Sequence, residues 1–248
     1  MRPHVLVTRP GESGAELSRE LEVRDIAATC VPTVAIDAES CSAELRSRLR
    51  SLDDAEWLVI TSANGADAVA RAAGSALPAS LRVAAVGPST AAALRAGGLR
   101  VDHVPSVYTT AAIAAGLGDV AGRLVVLARA DAATDDLRAA LTERGARVDE
   151  VIAYRTIAGP PESRDPLHAA LQRDLSGVAF ASSSAVRGLI RLTSSTDRAR
   201  ARALQAFCIG PVTATTAQAR GFHVAAVAPV HTASGLADAI AAHLGTAA

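Results

Sequence analysis

The stretch AAVGPSTAAALRAGGLRVDHVPSVYTTAAIAAGL, residues 84–117, decides the fold because its pattern occurs again later in the chain. Residues 207–236 read FCIGPVTATTAQARGFHVAAVAPVHTASGL, and Gly210 of this second stretch corresponds to Gly87 of the first. In both, an apolar run leads into a Gly-Pro turn, a helical segment follows, and another apolar run comes after a glycine. Units of strand, helix and strand build parallel sheets, so the repetition predicts two similar α/β halves.

The internal repeat extends beyond this pair. VLVTRPGESGAELSREL, from Val5, is echoed by VVLARADAATDDLRAAL, from Val125, and this alignment places Arg9 on Arg129. VITSANGADAV is echoed by AFASSSAVRGL, which places Ser62 on Ser182. With the first pair of stretches, these alignments give three matched blocks separated by nearly the same number of residues. They support two α/β halves with the same order of strands and helices.

Apolar runs with little polar alternation are typical of strands buried on both faces of a parallel sheet. The predicted strands are HVLVTR (4–9), WLVITS (57–62), RVAAVGPS (82–89), RLVVLAR (123–129), GVAFASS (177–183) and AFCIGPV (206–212). Apolar residues three and four positions apart predict amphipathic helices between them. The predicted helices are GAELSRELEVR (14–24), AELRSRLRSL (43–52), STAAALRAGG (89–98), TDDLRAALTERG (134–145) and TATTAQARG (213–221). Gly97, Gly145 and Gly221 are expected to end three of these helices.

Two segments interrupt the alternation of strand and helix at equivalent places. They are CVPTVAID (30–37) and VIAYRTIAG (151–159), both β-rich. If both cross between domains, the chain enters a second domain near residue 36 and returns near residue 155, with two adjacent strands as the hinge. A simple tandem pair of domains also fits this pattern.

Charge and composition narrow the function classes. The 248 residues include 25 basic and 25 acidic ones, and this net charge of zero argues against a nucleic-acid or membrane-surface role. Every fixed side-chain cation is an arginine, because the chain has no lysine. Cys30, Cys41 and Cys208 have no metal-type spacing, so we expect reduced, idle thiols. No signal peptide or membrane-spanning run is recognisable, and we expect a cytoplasmic protein.

Polar residues collect where the predicted strands end. They lie in Thr8-Arg9-Pro10, Thr61-Ser62-Ala63-Asn64, Gly87-Pro88-Ser89-Thr90, Ser182-Ser183-Ser184 and Gly210-Pro211-Val212-Thr213. Hydroxyls and free N–H groups at helix starts favour a carboxylate or phosphate ligand, although each hydroxyl could also serve only as a helix cap. The sequence has no dinucleotide or phosphate-binding glycine motif, no nucleophile elbow and no metal-spaced histidines. We therefore expect an anion site with no cofactor and no metal.

Six blocks taken in order resemble the uroporphyrinogen-III synthase family. They are VLVTRP, WLVITSANGADAV, VAAVGPSTAAALRAGG, ERGARVDEVIAYRT, VAFASSSAVRGL and CIGPVTATTAQARG. The resemblance implies two flavodoxin-like parallel-sheet α/β domains, joined by a two-stranded β-ladder hinge, with the active cleft between them. It also implies a discontinuous first domain, residues 1–35 with 157–248, and a second domain of residues 36–156.

The reaction implied by this resemblance closes the linear tetrapyrrole hydroxymethylbilane, which carries eight carboxylates, to uroporphyrinogen III. Water is lost, and ring D is inverted through a spiro intermediate. The resemblance implies no cofactor, and we expect a monomer that acts on this small molecule without nucleic acid or membrane. The alternatives are a two-lobed anion-binding protein and a regulatory protein of the same fold without catalytic activity.

The resemblance also implies roles for individual residues. Tyr154, in AYRT, corresponds to the family's tyrosine that faces the cleft, and we expect it to hydrogen-bond or protonate the departing hydroxyl. A packing role at the hinge is the alternative for Tyr154. The expected substrate-binding residues are Arg9, Ser62, Asn64, Ser89, Thr90, Ser182, Ser184 and Thr213. For Arg9 a structural ion pair is the alternative. Ser183 departs from the family's proline at this turn, which predicts a less rigid loop, and Tyr108 and its counterpart His231 are expected to be surface residues.

Overall fold

The computed structural model describes residues 2–74 and 77–245. Within it the chain forms two compact units. Unit 1 comprises the residues up to Ala35 together with those from Ile157 onward, and unit 2 comprises Ile36–Thr156. The chain therefore leaves unit 1 once and returns to it once.

Ten strands and eleven α-helices are formed by the described residues. In chain order they are β1 (His4–Val7), α1 (Gly11–Val23), β2 (Ala27–Cys30), β3 (Val34–Asp37), α2 (Ser42–Leu49), β4 (Ala55–Ile60), α3 (Ala63–Ala73), β5 (Arg82–Ala85), α4 (Pro88–Ala96), α5 (Thr110–Gly116), β6 (Leu124–Ala130), α6 (Asp136–Glu143), β7 (Arg147–Ala158), a 3-10 turn (Pro161–Ser163), α7 (Arg164–Ala170), β8 (Gly177–Phe180), α8 (Ser183–Leu192), α9 (Ser195–Ala203), β9 (Gln205–Cys208), α10 (Pro211–Ala219), β10 (His223–Val227) and α11 (Ala233–Leu244). All the predicted strands and helices are present, and the α/β fold with parallel sheets is confirmed.

Unit 1 is built on a five-stranded sheet with the spatial order β10-β9-β8-β1-β2. The neighbouring strands run parallel. Leu6 packs with α8 and α10 on one face, whereas Val5 and Val7 pack with α1 and α11 on the other. Because both faces are covered by helices, β1 is buried throughout its apolar positions, which is why it reads as a continuous apolar run. Numbered by their order within this unit, the strands lie 2-1-3-4-5, the flavodoxin-like arrangement.

Unit 2 has a sheet of the order β3-β7-β6-β4-β5. The strands β4 to β7 pair in parallel. Along β4, Leu58 and Ile60 face the core formed with α2, α3 and α4, while Trp57 and Val59 face the core formed with α5 and α6. The alternation of successive side chains across the sheet therefore supplies two hydrophobic layers.

The repeat is circularly permuted between the two units. Its alignment places β1 on β6 and β8 on β4, and the spatial series β2-β1-β8-β9 then corresponds to β7-β6-β4-β5. Apart from β3, unit 2 begins at β4, which corresponds to the third strand of unit 1, and it ends at β7, which corresponds to the second. Unit 2 is inserted into unit 1 after β2 and before β8, so its chain begins and ends at the same point of the common plan at which unit 1 is interrupted.

The two segments predicted to be extended both contain strands. β3 and the twelve-residue β7 include the residues at which the chain passes from one unit to the other, and they are neighbours in the sheet order. Within unit 1, the carbonyl of Thr33 accepts a hydrogen bond from the Gly159 N–H at 2.8 Å. Gly188 of α8 is pressed against the same carbonyl, because a Cβ there would lie 1.8 Å from it. The two segments of unit 1 that flank the inserted unit 2 are thus hydrogen-bonded to each other.

Candidate functional site

The polar loops lie at the carboxyl edges of the two sheets. In unit 1, β1 has β2 on one side and β8 on the other. The connections from β1 and to β8 therefore lead to opposite sides of this strand, so β1 and β8 form a topological switch point. Open parallel sheets bind ligands at the carboxyl ends of the strands at such a point. Arg9 follows β1 and Ser182 follows β8. In unit 2 the corresponding strands are β6 and β4, and Ser62 follows β4.

Ser62 and Tyr154 are joined by a side-chain hydrogen bond in unit 2. Ser62 is the N-cap of α3, where its extended backbone lets Oγ accept the Gly65 N–H at 3.1 Å. The same hydroxyl donates to the Tyr154 phenol oxygen at 3.1 Å. Tyr154 lies in β7 and is only 7% exposed, with its ring in the α2–α4 core. The ring of Tyr154 therefore packs in the core of unit 2, and its phenol oxygen is held by the Ser62 hydroxyl.

The direction of this bond matters for chemistry. Because Ser62 donates to the phenol oxygen, the phenol's own hydrogen remains available for another acceptor. The arrangement therefore leaves the phenol O–H able to donate a hydrogen bond to a ligand.

Three other predicted residues of unit 2 differ in exposure. Asn64 and Ser89 are exposed in the first turns of α3 and α4, and neither side chain is hydrogen-bonded within the described residues. Thr90 is buried on the inner side of α4. Asn64 and Ser89 can therefore offer their side chains to a ligand, whereas Thr90 can contribute little beyond its backbone.

The predicted serines of unit 1 are organised around α8. Ser182 is the N-cap and accepts the Ala185 N–H at 3.1 Å, and Ser184 accepts from Arg187 at 3.0 Å. Thr213, in the first turn of α10, is buried. Sequence reasoning missed the part played by Ser183, whose hydroxyl lies 2.8 Å from that of Thr216. This bond ties α8 to α10 and restrains the turn that lacks the expected proline.

Arg9 and its counterpart Arg129 have different surroundings. Arg129 is buried, donates to the Thr134 carbonyl at 2.9 Å and lies 3.3 Å from a Glu150 carboxylate oxygen. Arg9 makes no ion pair or side-chain hydrogen bond among residues 2–74 and 77–245, and partial burial lowers its pKa, opposed by Glu16. The structural ion pair considered for Arg9 is not formed there, so its guanidinium is free to meet an anion.

A cavity of about 420 Å³ opens at the carboxyl edge of unit 2. Its lining comprises Thr61, Val86, Tyr108, Thr109, Ile113, Arg129, Ala133, Thr134 and Leu137. Ile113 and Leu137 belong to the core on the α5 and α6 face, whereas Tyr154 belongs to the core on the other face. Sequence reasoning assigned Tyr108 to the surface and did not find this cavity, because its walls come from segments far apart in the chain.

Among the residues that the structure describes, no three or more His, Cys, Asp or Glu side chains come together as a possible metal site. Over the same residues, no helix is both long enough and apolar enough to cross a bilayer.

Comparisons with known proteins identify the family. The family model for uroporphyrinogen-III synthase HemD matches residues 15–238. The uroporphyrinogen-III synthase of Synechococcus elongatus is 28% identical over 248 aligned residues, covering 95% of this chain and 93% of that protein.

Solved structures show the same fold. A mutant uroporphyrinogen III synthase from Thermus thermophilus matches with a TM-score of 0.65 at 21% identity, covering 99% of this chain and 100% of its own. The Helicobacter pylori uroporphyrinogen-III synthetase matches with a TM-score of 0.62 at 14% identity, covering 98% and 100%. Since the family model spans most of the sequence, the chain belongs to the uroporphyrinogen-III synthase family.

Proposed function

We propose that this chain closes hydroxymethylbilane to uroporphyrinogen III with Tyr154 assisting the loss of the terminal hydroxyl. The match of the family model to residues 15–238 carries the assignment of the reaction. The chain is a cyclising lyase of porphyrin biosynthesis, and its substrate is hydroxymethylbilane. The hydrogen-bonded pair of Ser62 and Tyr154 supports the assignment of the proton donor.

The chemistry begins with cleavage of the bond between the hydroxymethyl carbon and its oxygen. The hydroxyl leaves as water after gaining a proton, and the protonated azafulvene that remains is electrophilic. The substituted carbon of ring D attacks it to give the spiro intermediate, which fragments and recloses with that ring reversed. The ring D carbon that forms the last bond then loses its hydrogen as a proton, which replaces the proton spent on the leaving water. We propose that Tyr154 gives the proton or a hydrogen bond to the leaving oxygen. The bond that its phenol oxygen accepts from Ser62 supports this proposal, because it leaves the phenol O–H free to donate.

Substrate binding rests on local donors, because the chain as a whole has no net charge. In unit 1, Arg9, Ser182 and Ser184 are proposed to meet carboxylates, together with backbone N–H groups near Thr213. In unit 2, Ser62, Asn64 and Ser89 are proposed to do the same, together with N–H groups near Thr90. Hydrogen bonds to charged groups contribute on the order of 1.5–3 kcal/mol each, so a few of them provide firm binding. That both sets of loops grip one substrate in a shared cleft stays a prediction.

The isomer of the product tests the proposed reaction. Hydroxymethylbilane is supplied to the purified protein, and the products are oxidised and separated chromatographically. We expect type III to predominate, whereas a reaction without protein gives the uninverted type I by spontaneous closure. Type I alone, at the rate of the protein-free control, would mean that the chain is a binding or regulatory protein.

The cytoplasmic location and the monomeric state are also proposed, and light scattering after gel filtration tests the monomeric state.

A further inference from the structure

Two loops at the carboxyl edges of the sheets share an unusual construction. They are the unit 2 tip, residues 105–109 (PSVYT), and the unit 1 tip, residues 228–232 (APVHT). In the unit 2 tip, Val107 is 59% exposed and Tyr108 is 61% exposed. In the unit 1 tip, Val230 is 58% exposed, and His231 beside it is also exposed. These side chains add little to the packing of their own units.

Hydrogen bonds fix both tips in the same way. In the unit 2 tip, the Thr109 N–H donates to the Val107 carbonyl at 2.9 Å, and Thr109 Oγ1 caps α5 by accepting the Ala112 N–H. In the unit 1 tip, the Thr232 N–H donates to the Val230 carbonyl at 2.9 Å, and Thr232 Oγ1 caps α11. Exposed rings on such fixed loops lose little conformational freedom when a ligand binds.

Each ring also lies against a glycine of the Gly-Pro turn. A Cβ at Gly87 would stand 3.5 Å from the Tyr108 ring, and a Cβ at Gly210 would stand 3.2 Å from the His231 ring. Each ring therefore lies close to the start of the helix that follows its glycine, α4 or α10. The Tyr108 ring also forms part of the wall of the 420 Å³ cavity, beside the hydroxyl-bearing Thr61 and Thr134.

We propose that Tyr108 and His231 are substrate-binding residues that hold pyrrole rings of the tetrapyrrole against their aromatic faces. This inference rests on the proposed function and adds residues to it. A pyrrole is a flat aromatic ring with carboxylate side chains, so it matches a ring that lies beside free helix N–H groups. Both units have the exposed ring, the glycine against which it lies and the threonine that caps the next helix, although neither ring packs in the core of its own unit.

Truncation of the rings tests the inference. In Tyr108→Ala and in His231→Ala we expect KM for hydroxymethylbilane to rise about three- to tenfold, the range given by loss of one aromatic contact, with a smaller change in kcat. Tyr108→Phe and His231→Phe retain an aromatic face, and each should recover most of the lost affinity. Val23→Ala, a change at the strongly exposed end of α1, serves as the control and should match the parent.

Two results separate this inference from the proposed function. If the parent forms type III and both alanine variants keep KM within twofold of the parental value, the tips do not bind substrate and the inference is wrong. If the parent itself forms no type III, the proposed function fails. Equilibrium dialysis with uroporphyrin III gives a second measurement that does not depend on turnover, and Kd should rise in the alanine variants and recover with phenylalanine. Unchanged Kd values in correctly folded alanine variants would also overturn the inference.

Discussion

Ser62 makes two hydrogen bonds with separate consequences, one to the α3 backbone and one to the phenol of Tyr154. The first stabilises the helix, and the second supports the proposed proton donor. Substitution of Ser62 alone would remove both bonds at once, so it would not separate a loss of stability from a loss of activity. Ser194 offers a matched control, because it caps α9 through the Asp197 N–H at 3.2 Å and lies outside the proposed site.

We predict that Ser62→Ala loses about 1 kcal/mol of unfolding free energy, the usual contribution of a serine cap. Ser194→Ala should lose at least as much, because its hydroxyl also donates to the Asp197 carboxylate. Only Ser62→Ala should also lower kcat for type III formation, by about tenfold if the lost bond supports the phenol with roughly 1.4 kcal/mol. Urea unfolding and the isomer assay provide the two measurements. Equal kcat values in the two variants would show that the bond to Tyr154 has no catalytic effect.

At the scale of elements, α7 and α9 are joined by a side-chain bridge in unit 1. His168 Nδ1 of α7 lies 3.0 Å from Asp197 Oδ2 of α9, and the Ser194 hydroxyl donates to the same carboxylate at 3.0 Å. The bond with His168, followed by that with Ser194, lowers the pKa of Asp197, although burial opposes this. A carboxyl whose pKa is lowered by folding stabilises the protein above its unfolded pKa and loses that effect as pH falls through the folded pKa.

We therefore predict that Asp197→Asn destabilises the protein at pH 5 and that its difference from the parent shrinks below about pH 4, near the ordinary pKa of aspartate. Urea unfolding at a series of pH values measures the difference. In a His168→Ala background the same substitution should have a smaller effect at pH 5. A difference that stays constant down to pH 2.5 would contradict the assigned cause.

The elements differ in how far the sequence predicts them. β4 and β8 are buried on both faces and are therefore visible as apolar runs, and Gly145 and Gly221 follow α6 and α10 with positive φ as expected. The helix α9, in contrast, alternates arginine and alanine over residues 198–203, so its sequence lacks the apolar spacing of three and four residues that identifies a helix. The hydrogen bond between Ser62 and Tyr154 could not be predicted from local sequence either. The two residues are 92 positions apart, and only the order of the strands in the sheet brings them together.

At the scale of the whole molecule, the repeat was visible in the alignment of Arg9 with Arg129 and of Ser62 with Ser182, whereas its circular permutation became visible only in the strand order. The strand order could not be read from these alignments, since parallel strands with similar apolar composition do not specify their neighbours. The resemblance to the family supplied the expected boundaries at residues 35 and 157. The structure adds a physical reason for an insertion at this place, because Thr33 and Gly159 are hydrogen-bonded directly to each other in unit 1.

We predict that unit 1 folds after residues 36–156 are replaced by a short Gly-Ser linker. Its sheet and both of its hydrophobic cores are contained in the remaining residues, and the chain ends to be joined are adjacent. Circular dichroism and a cooperative thermal transition measure folding. The same deletion carrying Gly188→Val should fail to fold, since a side chain there collides with Thr33. An unfolded parent deletion would show that unit 1 depends on unit 2.

The most direct test of the central claim is the rate and isomer of the product formed by Tyr154→Phe. This change removes the phenol oxygen and leaves the buried ring, so the fold should be retained. Loss of a general acid typically costs 10²-fold or more, and we expect type III formation to fall by about this factor while spontaneous type I becomes the main product. Parental rate and parental type III yield from a folded Tyr154→Phe protein would contradict the account.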